Sequence, residues 1–102
     1  MLNPMSPKEK KFIQDLVRVR GQELDFIRLG MEVEFCNDRG TIAGMNANGN
    51  LDVKFANTLK HGKHAHNCHP TWEMKYFDEA GALIACYADG ICQFSPNKPK
   101  VA

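Results

Sequence analysis

The sequence predicts an α+β domain, an N-terminal amphipathic helix followed by a five-stranded antiparallel barrel. Two observations carry this. Apolar residues recur at helical spacing up to about Gly30 and then alternate with polar ones. Turn-forming pairs punctuate the alternating part at short intervals. The chain accordingly divides into a helical segment (1–28), a barrel (29–94) holding a histidine-rich loop (60–70), and a disordered tail (95–102).

The helix has a marked start at Ser6-Pro7-Lys8-Glu9. The Ser6 hydroxyl suits the cap, the fixed φ of Pro7 suits the first helical position, and Glu9 completes a capping box. Phe12, Ile13, Leu16, Val17 and Val19 then share one side, with Lys10, Lys11, Gln14, Asp15 and Arg18 on the other. Gly21 ends this helix, or the helix runs on, because Leu24 and Ile27 fall on the same apolar side.

Met31, Val33 and Phe35 alternate with Glu32 and Glu34, a strand wet on one face. Asn37-Asp38-Arg39-Gly40 turns the chain. Residues 41–45 form the second strand, with Gly44 permitting a bulge. Asn48-Gly49 tolerates the positive φ of a hairpin turn, and Leu51, Val53 and Phe55 alternate beyond it. A long polar connection, 56–70, leads to a fourth alternating strand at Trp72, Met74 and Tyr76. After the turn at 78–81, the apolar run 82–87 is the fifth. A short last strand at Ile91–Phe94 follows Asp89-Gly90, and Pro96 and Pro99 mark the tail.

With 102 residues, 43% hydrophobic and 25% charged, the chain suits one small globular domain. A formal net charge of +1 does not mark a nucleic-acid binder. The charge is uneven: residues 1–30 carry six basic and four acidic side chains, and 31–90 carry five and eight. Four cysteines occur with no C-x-x-C pair, which excludes a thioredoxin-like motif and a zinc ribbon. No secretory signal and no apolar run of roughly 20 residues is present, so a cytoplasmic protein with reduced thiols and no membrane partner is expected.

The runs Leu29-Gly30-Met31-Glu32-Val33, Gly40-Thr41-Ile42 and Leu51-Asp52-Val53-Lys54-Phe55 resemble the opening of SH3-like small barrels of the KOW and Tudor kind. Such barrels often begin with a glycine and a valine three residues on. The likeness covers roughly residues 29–87. It implies binding of nucleic acid, peptides or proteins rather than catalysis, and fold alone does not choose among them. The insert at 61–70 and the lead-in Pro70-Thr71-Trp72 depart from the pattern.

All four histidines lie in that insert: His61, His64, His66 and His69, with Cys68 among them. His64, His66 and Cys68 alternate, and with His69 they are the residues that would hold zinc, the alternative to a protein without a cofactor. Lys60 and Lys63, with His64 and His66, offer a surface to an acidic protein or to phosphate, and no acid interrupts them. Of the aromatic side chains, Phe35, Phe55, Trp72 and Tyr76 are expected to fill the barrel, leaving Phe77 and Tyr87 as exposed partner-binding aromatics. Cys68-His69 has no accompanying oxyanion-hole motif, and neither a phosphate-binding glycine loop nor H-E-x-x-H occurs. The expected function is therefore non-enzymatic: a module that engages another protein, with nucleic acid as the alternative. Its size suits an accessory protein of a phage or mobile element acting on a host machine. The helix is expected to cover the barrel or, alternatively, to pair with a second copy.

Overall fold

The computed structural model describes residues 6–97. Helix α1 spans Pro7–Arg20, and the Ser6 hydroxyl accepts the Glu9 backbone N–H at 3.1 Å. Glu9 does not return to Ser6. Its carboxylate accepts the Leu29 N–H at 3.1 and 3.3 Å and ties the helix start to the run into the sheet. Gly21 stops the helix at φ 108°, its N–H bonding to Val17 O at 2.8 Å. A single 3-10 turn, Gln22–Leu24, follows, so Leu24 and Ile27 reach the core from beyond the helix.

Seven antiparallel strands follow: β1 Glu32–Phe35, β2 Asp38–Met45, β3 Leu51–Phe55, β4 His66–Cys68, β5 Met74–Phe77, β6 Leu83–Ala88 and β7 Ile91–Phe94. A one-turn helix, α2 Thr58–His61, sits between β3 and β4. Their order across the sheet is β4-β3-β2-β1-β5-β6-β7. This corrects the expectation of a five-stranded closed barrel. The sheet is open, because β4 and β7 lie at opposite edges and no pairing joins them. One added strand, β4, was concealed in the histidine-rich loop, where three residues of mixed polarity carry no strand signal.

One face of the sheet is apolar. Val33, Ile42, Leu51, Val53, Met74 and Tyr76 are buried there with Phe12 and Leu16 of α1 and with Leu24 and Ile27. Each fully buried aliphatic side chain contributes about 1.5–3 kcal/mol relative to an exposed one. The Tyr76 hydroxyl donates to Pro70 O at 2.5 Å, which satisfies the polar end of a buried ring. Helix α1 covers this face with Phe12 and Leu16, while Val19 of the same apolar side is 45% exposed.

The other face is polar. Glu32 stands opposite Thr41, and Thr41 opposite Lys54. Arg39 pairs with Glu32 and also with Glu34 at 3.5 Å, and Lys75 reaches Glu34 at 3.4 Å. These contacts form a charge ladder across β2, β1 and β5.

The aromatic assignment is partly reversed. Phe77 and Tyr87 are buried, whereas Trp72 is 48% exposed. Glu73, at φ 49°, breaks the alternation just after Trp72, so β5 begins only at Met74. Phe77 follows a register shift, and the Arg39 guanidinium lies 3.9 Å from its ring centroid and covers it. Of the expected tail, Ser95 is buried and the Asn97 amide donates to Glu23 O at 3.0 Å and to Asp25 Oδ1 at 2.7 Å. Residues 98–102 lie outside the described residues.

Candidate binding groove

The histidine-rich segment is built from a turn, a stack and a short strand. The Asn57 side chain caps α2 by accepting the Lys60 N–H at 3.1 Å, and Gly62, at φ 77°, ends it. This places Lys60 Nζ and His61 Nε2 on one oxygen of Asp38, at 3.0 and 3.1 Å. The Asp38 carboxyl is held below its ordinary range, chiefly by the hydrogen bond from Lys60 and then by that from His61, against the opposing effect of burial. The His61 ring stacks on Phe55 with centroids 4.3 Å apart. His66 Nε2 lies 2.6 Å from His61 O. A carbonyl only accepts, so this nitrogen carries the hydrogen. The His64 ring leans on His66 with centroids 4.4 Å apart and is otherwise exposed.

The expected zinc ligands are not brought together. Among the described residues no three His, Cys, Asp or Glu side chains converge as a metal site. His66 shares a sheet face with Cys68, but its Nε2 is held by a carbonyl. Burial, and then the nearby Cys36, push the Cys68 thiol up to about 11. His69 turns toward α1, where Arg20 lies 3.1 Å from its Nε2. A guanidinium only donates, so Nε2 accepts and Nδ1 carries the hydrogen. Of the Thr71 hydroxyl and N–H, both 3.2 Å from Nδ1, the hydroxyl is then the partner. Cys68 and His69, adjacent in sequence, thus have separate surroundings, and no nucleophile–base pair forms from them.

Lys63 instead joins a groove that sequence reasoning did not foresee. It lies on the polar face, has a volume of about 380 Å³, and is lined by Thr41, Lys54, Phe55, Ala56, Thr58 and Lys63, with Glu32 and Arg39 at one wall. Gly40 lets β2 lie against β3 beneath it: a Cβ there would meet Val53 Cγ1 at 2.7 Å and Lys54 O at 2.8 Å. Beside Thr58, Leu59 is 100% exposed. A lone aliphatic residue amid the polar run 56–70 was the available signal for this surface.

No family model, curated protein or solved structure matches the chain. The groove is therefore interpreted from its own residues. Of the residues expected to meet a partner, Lys63 lines it, Lys60 is paired with Asp38 at its margin, and His64 and His66 stand behind it. Phe77 and Tyr87 are not on it. Among the described residues, no helix is long and apolar enough to cross a membrane.

Proposed function

We propose that this chain is a non-catalytic domain that binds another protein through the groove between the β2–β3 face and α2. The observation that carries the reading is the groove itself, an open hollow on the polar face lined by Thr41, Lys54, Ala56, Thr58 and Lys63, with the wholly exposed Leu59 following Thr58 in the chain. The α2 turn that presents Leu59 is held by four separate contacts, from Asn57, Asp38, Phe55 and His66. Such anchoring presents a contact residue with little ordering left to do on binding.

The test is affinity capture from cells of the source organism, using the full chain, Leu59→Asp and Thr41→Trp. Both substitutions are on the surface, and circular dichroism would check that the fold is kept. A partner held by the parent and lost by both variants is expected. A partner held equally by all three, or none held by the parent, overturns the reading.

A further inference from the structure

We infer that the occupant of this groove is an acidic segment of a partner protein, carrying one bulky apolar side chain between carboxylates; this rests on the groove being a binding site. The charges around it decide the sign. The acids nearby are already neutralised: Glu32 by Arg39, and Asp38 by Lys60 and His61. Lys54 and Lys63, facing into the groove from opposite sides of Phe55 in the chain, have no ion pair among the described residues. Two cations are left uncompensated beside the exposed Ala56 and the Thr58 methyl. A peptide placing a leucine or phenylalanine on Ala56 and the Thr58 methyl, flanked by Asp or Glu, meets both features at once.

The same arrangement weighs against the other occupants. In a symmetric pairing of two copies, Leu59 would bring Lys60 and Lys63 onto the Lys54 and Lys63 of its mate, and like charges would oppose each other. A nucleic acid carries a negative charge every few ångströms and needs a continuous track of cations. Here the polar face runs from Lys54 directly to Asp52 along β3, and beyond Glu32 to Glu34 along β1. A phosphate backbone crossing that face would meet those carboxylates, whereas a short acidic peptide stops before them.

A phage-displayed library of random peptides, selected on the immobilised full chain, tests this. Winning peptides would be synthesised and their affinity measured by fluorescence anisotropy. Selected sequences enriched in Asp and Glu around one large apolar residue are expected. Lys54→Glu/Lys63→Glu should weaken them at least about tenfold, and exchanging the peptide acids for lysine should restore binding to that variant. Peptides lost with Thr41→Trp but indifferent to the lysine reversal would leave the groove in place and overturn the acidic occupant. Peptides indifferent to Thr41→Trp, or none selected, would overturn the groove itself. A single-stranded oligonucleotide bound more tightly than any peptide and released by the lysine reversal would replace the inference with nucleic acid. Self-association abolished by Leu59→Asp would replace it with a second copy.

Discussion

Arg20 is the residue that ties the two halves of the core together. Its guanidinium donates from Nε to Gly49 O at 3.0 Å, from one terminal nitrogen to Asn50 Oδ1 at 2.6 Å, and from the other to His69 Nε2 at 3.1 Å. The end of α1 is thereby fastened to the β2–β3 hairpin and to the segment beyond β4. Lysine cannot reproduce that fork, so Arg20→Lys should lower stability by about 2 kcal/mol in urea unfolding. His69 responds to pH through this contact. Its pKa is lowered from 6.5, first by burial and then by Arg20. The folded chain thus binds the proton less readily than the unfolded one. The contribution is complete above the unfolded value of 6.5 and is lost as pH falls below it. Stability measured from pH 8 to 5 should fall less steeply in His69→Gln than in the parent, and identical slopes would remove His69 as a cause. A third expectation concerns Tyr76. Removing its hydroxyl leaves the Pro70 carbonyl without its donor in a buried place, so Tyr76→Phe should cost about 1–2 kcal/mol. The burial of Tyr76 was legible from alternation. That of Phe77 and Tyr87, and the exposure of Trp72, was not, because a positive φ at Glu73 and register shifts in β5 and β6 change which face a side chain meets without any mark in the hydropathy pattern.

Among the elements, the start of α1 was readable to the residue, since its cap and its Pro7 act locally, whereas its end stayed open between Gly21 and continuation through Leu24 and Ile27, which share its apolar side. The Asn48-Gly49 hairpin was readable for the same reason, whereas the first turn is the Cys36-Asn37 pair alone, and Asp38, Arg39 and Gly40, expected in that turn, belong to β2. β4 was not readable. It pairs Val53 with His66 and Leu51 with Cys68, and it is a strand because β3 offers an unpaired edge, not because of its own composition. The groove shares this origin, since it forms where β2, β3 and the turn after them meet. Gly40 is the point on which that meeting depends. Gly40→Ala would push a methyl group onto the Lys54 carbonyl, and backbone gives way less readily than a side-chain tip. The substitution should cost about 1–3 kcal/mol, read as a shift in the urea midpoint at unchanged slope.

At the scale of the whole molecule, an open sheet differs from a barrel in having two edges, and each edge is a template for unwanted pairing. Both are short here, three residues in β4 and four in β7. The β7 edge has no charge or proline within it, and Ile91 on it is 64% exposed. Its protection is its length of four residues, and within it the Gln93 side-chain amide donates to Ile91 O at 3.3 Å. Gln93→Val replaces a polar side chain on this edge strand by an apolar, β-branched one, which favours strand addition. Sedimentation velocity over a concentration series should show association beginning at lower concentration in Gln93→Val than in the parent. The double variant Gln93→Val/Ile91→Lys should reverse the change, because a lysine on the edge opposes pairing whatever its neighbour. Equal sedimentation of the parent and Gln93→Val would mean that strand length alone keeps this edge apart, whatever the polarity of residue 93.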